Sequence, residues 1–173
     1  MDLYFITGIS GSGKTTVARK LQEMGEIVLD SKVQPGLFHF ADVDGNKPGD
    51  YKPHNKSWSE KYQWKLDKPM FDRLLEENKG AERIFVCGGS NDLMRYWLLG
   101  KKVFLLKVDS VTVMDRLSKP DRDNDFAKDK ATQKSLAQRV DRFQKRQIEA
   151  GAIPIDALRS VEEVARNILL EAG

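Results

Sequence analysis

Eight residues near the start, Gly8-Ile-Ser-Gly11-Ser-Gly13-Lys14-Thr15, restrict the fold of this chain more than any other stretch. They read G-x-x-x-x-G-K-T. The apolar run Leu-Tyr-Phe-Ile leads in, and a helical pattern with Val17, Ala18, Leu21 and Met24 on one face leads out. A strand must therefore end in a glycine-rich turn that opens a helix. Backbone N–H groups of such a turn converge on anionic oxygens, and Lys14 adds a point charge for the β- and γ-phosphates of a nucleoside triphosphate. The Thr15 hydroxyl suits Mg²⁺, and the helix aims its positive end at the same place. Gly8, Ser10, Gly11, Ser12, Gly13, Lys14, Thr15 and Thr16 are the expected nucleotide contacts. Lys14 is a catalytic candidate and Thr15 the metal candidate. Thr16 either touches the α-phosphate or simply belongs to the first helical turn.

At 173 residues the chain reads as one domain, residues 1–173, large enough to bury a core without staples. The single cysteine, Cys87, excludes an intramolecular disulfide and fits a reducing, cytoplasmic setting. The start runs straight into a strand, so no signal peptide is expected. No apolar run approaches the roughly 18 residues of a membrane span. Charged residues make up 32% at a formal net charge of +3, too balanced a mixture to argue for nucleic acid by itself.

Five strands are expected, at residues 2–7, 26–30, 83–87, 102–108 and 152–156, separated by helical patterns. Residues 31–56 carry Pro35, Gly36, Gly45, Pro48, Gly49 and Pro53 and both histidines, His39 and His54, and read as a long functional loop. Ser57-x-x-Glu60 then resembles a capping box opening a helix to about Asn78, with Trp58, Tyr62, Leu66 and Met70 at apolar positions and Pro69 as a kink. Asn91 is placed to cap a short helix ending at Gly100. A helix over 110–117 turns Val111, Met114 and Leu117 inward. Residues 118–131 are irregular, a helix spans about 132–150, and Ser160-x-x-Glu163 caps the last one. Alternation of this kind means a parallel sheet covered on both faces, with ligands at the carboxyl ends of the strands. That rule puts Gly8–Thr15, Asp30, Cys87–Asn91 and Asp109 on one rim.

The layout resembles the small P-loop kinases, the group of adenylate, shikimate and gluconate kinase. The resemblance rests on the loop, on Asp30 closing strand two, on Cys87-Gly88-Gly89-Ser90 closing strand three, and on the tail Ile155-Asp156-Ala157. It implies an α/β chain of the three-layer α/β/α P-loop NTPase fold, with a five-stranded parallel sheet and a lid. It further implies an acceptor-binding region over 31–80 and a lid over 117–135. Arg116 resembles the lid-entry arginine beside adenine, Ala157 falls on the adenine-side loop, and Arg122 sits where a lid arginine reaches the transferring phosphate. Gly88 and Gly89 look like the acceptor-contacting turn, and Arg139-x-x-x-Phe143 like the arginine-bearing helix after the lid, which makes Arg139 a further acceptor-contact candidate. Two departures stand out. No acidic residue follows strand three directly, and residues 31–80 lack the shikimate-binding arginines, offering an aromatic and acidic region instead.

Asp30 is the candidate for orienting an acceptor hydroxyl or accepting its proton; a plain turn-capping aspartate is the alternative. Asp42 is a candidate acceptor contact, although Asp42 and Asp44 beside Gly45 equally suit turn chemistry. Trp58, Tyr62 and Trp64 read as core, or as a platform for a flat acceptor. Cys87 and two separated histidines make a poor metal set. Residues 115–146 hold ten Lys/Arg against six Asp. Arg116 and Arg122 are the expected phosphate clamps there, and Arg142 and Arg139 their neighbours. The expected activity is transfer of the γ-phosphate of ATP, with Mg²⁺, to a small nucleoside-, nucleotide- or sugar-like acceptor, giving ADP. A nucleic-acid end kinase and a non-catalytic ATP-binding regulator are the alternatives, with no membrane partner. No Asn-Lys pair has the aspartate that guanine recognition needs, which argues against a GTPase.

Overall fold

The computed structural model describes residues 1–50, 52, 56–90, 92–119, 127 and 129–173. Arg122, Asn91 and His54, and with Arg122 residues 120–126 and 128 of the expected lid, lie outside the described residues. The elements in order are β1 (Asp2–Thr7), α1 (Lys14–Glu23), β2 (Ile27–Asp30), β3 (Phe38–Ala41), α2 (Lys56–Lys61), β4 (Gln63–Leu66), α3 (Lys68–Glu77) and β5 (Arg83–Cys87). A 3₁₀ helix (Leu93–Leu99), β6 (Lys102–Lys107), α4 (Ser110–Ser118), α5 (Lys130–Glu149), β7 (Ile153–Asp156) and α6 (Val161–Ala172) complete them.

Five strands form one parallel sheet in the order β2-β5-β1-β6-β7. β1, β5 and β6 are near-continuous apolar runs, as strands covered on both faces must be. Their alternation divides the core. Tyr4, Ile6, Phe85 and Phe104 face Leu21 of α1, Val113 of α4, Val140 of α5 and Ile168 of α6. Leu3, Phe5, Ile84 and Leu105 face Phe71 of α3 and Leu93 and Trp97 of the 3₁₀ helix. The chain leaves β1 toward β2 on one side and later passes to β6 on the other. This reversal opens the crevice at the carboxyl end of β1, where Gly8–Thr15 begins. At the opposite end Arg83 forks onto Glu26, with Nε donating to Oε2 at 2.8 Å and Nη2 to Oε1 at 2.6 Å, tying β5 to the start of β2.

Three local expectations are corrected. The helix expected over 57–78 is α2, then β4, then α3. Residues Gln63–Leu66 pair antiparallel with Phe38–Ala41, so strand pairing across the long connection overrides a helical spacing of apolar residues. Ser57 consequently lies inside α2 rather than capping it, and α3 takes its cap from Asp67, whose carboxylate accepts from the Met70 N–H at 2.9 Å. In α4 Val111 is 76% exposed, and the buried row is Val113 and Leu117, four residues apart on one face. The Ser160–Glu163 capping box on α6 is present in both halves.

Candidate functional site

α1 begins without a side-chain cap. Its N-cap is Gly13, in the left-handed conformation at φ 99°, whereas α3, α4, α5 and α6 take side-chain caps from Asp67, Asp109, Asp129 and Ser160. The first-turn N–H groups of α1 are thus left for an outside anion, and a glycine at the turn is what permits the conformation. Gly8 is required for a different reason: a Cβ there would collide with Ser12 Oγ. Lys14 Nζ folds back over the loop and donates to Gly8 O at 2.7 Å and Ile9 O at 3.0 Å. Burial pulls the Lys14 ammonium below its ordinary pKa, and the nearby Asp30 works against that. Burial likewise pushes the Cys87 thiol up, so it is a neutral group whose Sγ donates to Lys14 O at 3.3 Å.

Asp30 closes β2 beside Cys87 of β5 and is 3% exposed. Its Oδ1 accepts from the Lys32 N–H at 2.8 Å, and Gln34 Oε1 accepts from its own N–H at 2.8 Å. Burial raises its pKa above the ordinary carboxylate value. The Lys32 hydrogen bond and the charges of Lys14, Arg19 and Lys32 pull the other way without reversing the shift. Arg116 on α4 reaches across to the loop. Its Nη1 donates to Ser12 O at 3.0 Å and its Nη2 to Ala157 O at 3.0 Å, so one guanidinium joins the phosphate loop to the loop after β7.

Lys14, Thr15, Thr16, Asp30, Arg116 and Ala157 line a single cleft of about 1950 Å³, together with Gly8, Ser10, Gly11, Ser12 and Gly13. The cleft continues under Gly88 and Gly89. A Cβ on Gly89 would lie 3.4 Å from Gly8 O, and a Cβ on Gly88 would collide with the ring of Phe38. Phe38 begins β3, and the β3–β4 pair adds Phe40 and Trp64, with Trp58 and Tyr62 beside them, as an aromatic wall. Phe40 stands 4.9 Å from both Trp58 and Trp64, ring centre to ring centre. Asp92, the first acid after β5, holds this wall in register by accepting from Ser90 Oγ at 2.8 Å and from the Leu66 N–H at 3.2 Å. The acid missing directly after strand three is therefore present slightly later, engaged with backbone and Ser90.

α5 forms the facing wall. Buried glutamines set its position: Gln133 donates to Leu117 O at 3.1 Å, Gln144 Oε1 accepts from the Val108 N–H at 2.8 Å, and Gln147 Nε2 meets Met94 Sδ at 3.8 Å. The helix thus runs from the end of α4 past β6 to the 3₁₀ helix. Arg139, Arg142 and Arg146 line the cleft along it, with Phe143 and Gln147. Arg139 donates only to Ser135 O, and Arg142 and Arg146 have no carboxylate partner among the described residues. Lys14, Arg19, Lys32, Arg116, Lys119 and Arg159 line the cleft as well, while Asp30 is the one carboxylate among its described lining.

Two candidates stand apart from the cleft lining. The Asp42 carboxylate is engaged by its own turn, accepting from the N–H groups of Asp44 at 3.0 Å and Asn46 at 2.8 Å. Those bonds hold its pKa below the usual carboxylate range. Asp109 caps α4, its Oδ1 accepting from the Thr112 N–H at 2.6 Å. The sequence reading passed over Arg146, Met94, Trp97 and Gln147. The spacing of Arg139, Arg142 and Arg146, three and then four residues apart, is the signal that marks one helix face.

Residues 5–141 match the model of a protein family described as an AAA domain. The chain belongs to that family. No curated protein matches it by sequence. Among solved structures, a shikimate kinase from Acinetobacter baumannii in complex with shikimate is 16% identical, with 99% of this chain and 92% of that one covered and a TM-score of 0.62. Deoxyadenosine kinase from M. mycoides with bound dATP is 14% identical, with 98% of each chain covered and a TM-score of 0.55. Shikimate kinase from Bacteroides thetaiotaomicron is 16% identical over 98% of each chain, with a TM-score of 0.56. The fold is that of the small P-loop kinases, an α/β P-loop NTPase. None of the described helices is long and apolar enough to cross a membrane.

Proposed function

We propose that this protein is an ATP- and Mg²⁺-dependent phosphotransferase that moves the γ-phosphate of ATP to a hydroxyl of a small acceptor. One observation carries the reading: an uncapped helix N-terminus with Lys14 over it and a buried carboxylate, Asp30, line the same cleft. The glycine positions fit a triphosphate: Gly13 takes the left-handed turn that opens α1, and a side chain at Gly8 would push against Ser12 of the same loop. Thr15 is the residue that would hold Mg²⁺, and the ion would neutralise charge on the β- and γ-oxygens.

The chain's own groups have separable tasks. The first-turn N–H groups of α1 bind phosphate oxygens, and Lys14 exchanges its carbonyl partners for them. Arg116 fixes the loop against Ala157, on the side assigned to the base of ATP. Asp30 receives the proton of the acceptor hydroxyl. The acceptor oxygen forms its bond to the γ-phosphorus, the bond from that phosphorus to the β,γ-bridging oxygen breaks, and ADP leaves with the electron pair. A carboxylate whose pKa is raised by burial is a better base for this than an exposed one. Residues 31–80 supply the acceptor side through Phe38, Phe40 and Trp64.

The test is stoichiometry. Purified protein with Mg-ATP and a panel of nucleosides, nucleotides and sugars is expected to form ADP and phosphorylated acceptor in equal amounts, and none with EDTA. ADP accompanied only by inorganic phosphate, or no ADP with any member of the panel, contradicts the reading.

A further inference from the structure

We infer that Trp97 and Gln147 select the acceptor, and that it is a planar ring compound whose edge carries a hydrogen-bond donor and acceptor side by side, as a lactam or an amidine does. The inference rests on the phosphotransferase reading and narrows its acceptor.

Unmet hydrogen bonds mark the place. An indole N–H ordinarily finds a partner when it is buried. Trp97 is 9% exposed, and its Nε1 has no hydrogen-bond partner among the described residues. Three glutamines of α5 are buried as well. Gln133 donates to Leu117 O and Ala127 O, and Gln144 accepts from the Val108 N–H. Gln147, 5% exposed, differs. Its Nε2 meets only Met94 Sδ, at 3.8 Å, and its Oε1 has no partner among the described residues. A thioether is a weak acceptor, so both ends of this amide remain available.

The 3₁₀ helix brings the two side chains together. Met94 and Trp97 are three residues apart on it, a spacing at which side chains lie one above the other. Gln147 touches Met94, and all three line the cleft. Trp97 shares an apolar cluster with Phe38, and Trp64 and Met94 pack against that cluster, so the polar pair borders the aromatic, acceptor half. A primary amide presents a donor and an acceptor in one plane, and a ring edge with the complementary pair meets both at once. The Trp97 N–H takes a further oxygen or nitrogen of the same compound. Met94, unbranched and adaptable, is the side chain that gives way to it. A ring without such an edge would leave the pair unmet in an apolar setting.

The test is calorimetric binding to the whole protein in saturating Mg-ADP. The probes are uridine, cytidine, inosine and adenosine, beside the ribosides of benzene and naphthalene, whose rings have no polar edge. At least one nucleoside is expected to bind about 10- to 100-fold tighter than the apolar riboside nearest it in size, the effect of leaving buried partners unpaired. Trp97→Phe removes the N–H and keeps an aromatic ring; Gln147→Met removes the amide and keeps the chain length. Each is expected to cut that preference about 5-fold or more, with binding of the apolar ribosides unchanged. A preference that survives in a folded variant, with only the melting temperature lowered, shows a pair that is structural or met by water, and overturns the inference. Nucleosides and apolar ribosides binding alike, or no nucleoside binding, overturns it in wild type alone, whether or not a variant folds. The same samples with ATP separate the two readings. Edge-selective binding without phosphoryl transfer removes the phosphotransferase reading and keeps the site. Transfer to hydroxyl compounds without such an edge, unaffected by either variant, does the reverse.

Discussion

Asp30 and Lys14 face different tests because their charges do different work. Lys14→Ala removes the ammonium from a loop whose glycines already shape it, so the fold is expected to survive while transfer falls at least about 100-fold. Thermal melting and turnover on the same preparation check this. Asp30→Asn is expected to lower kcat by roughly 100-fold or more with nucleotide affinity retained. It also gives a stability signature. Burial holds the folded-state pKa of Asp30 above the ordinary 3.8, so the folded protein keeps its proton more tightly than the unfolded chain. Stability from this site is then lost as pH rises from the ordinary value through the raised one. Asparagine carries no such cost. The melting temperature of Asp30→Asn relative to wild type should therefore climb across that window and level off above it; a constant difference would contradict the assignment. Both residues were legible in the sequence, because a loop motif and a strand end are local features. Asp42 and Asp109 had the same local look, and Asp30 too accepts from a turn N–H, that of Lys32; what separates Asp30 is its place in the lining of the cleft.

Among the elements, the β3–β4 pair is the one whose failure should be most visible. Gly88→Ala would drive a methyl into the Phe38 ring. Overpacking of that kind costs about 1–3 kcal/mol, and here it also tilts the aromatic wall, so a lower melting temperature and a raised acceptor KM are expected with ATP binding unchanged. α6 provides a second case. Ser160→Ala removes one half of the capping box that opens it, a loss of about 1 kcal/mol read as a lower melting temperature. The capping box on α6 could be read from four residues. The β3–β4 pair could not: its strands are four residues each, and His39 and Lys65, which pair across them, are 26 positions apart. Trp58, Tyr62, Leu66 and Met70 recur every four residues and imitate a helix face. The competing hydrogen bonds come from a segment the periodicity never sees.

Over the whole molecule, the order β2-β5-β1-β6-β7 brings an uncapped helix N-terminus, a buried carboxylate, an aromatic wall and a row of arginines to one end of one sheet. The alternation of strands and helices was enough to foresee the sheet and the edge on which the cleft lies, since apolar strands must be covered on both faces. It was not enough to foresee the wall that α5 makes. That depends on Gln133, Gln144 and Gln147, polar residues whose burial only the assembled fold reveals. A cleft this basic should bind nucleotide less tightly as salt rises, an effect read by titration at several ionic strengths. The most direct measurement follows γ-labelled ATP in the presence of Mg²⁺ and the acceptor panel, wild type beside Lys14→Ala. The account predicts label on a small acceptor with wild type and none with the variant. Label released only as inorganic phosphate, or transfer undiminished in Lys14→Ala, would contradict it.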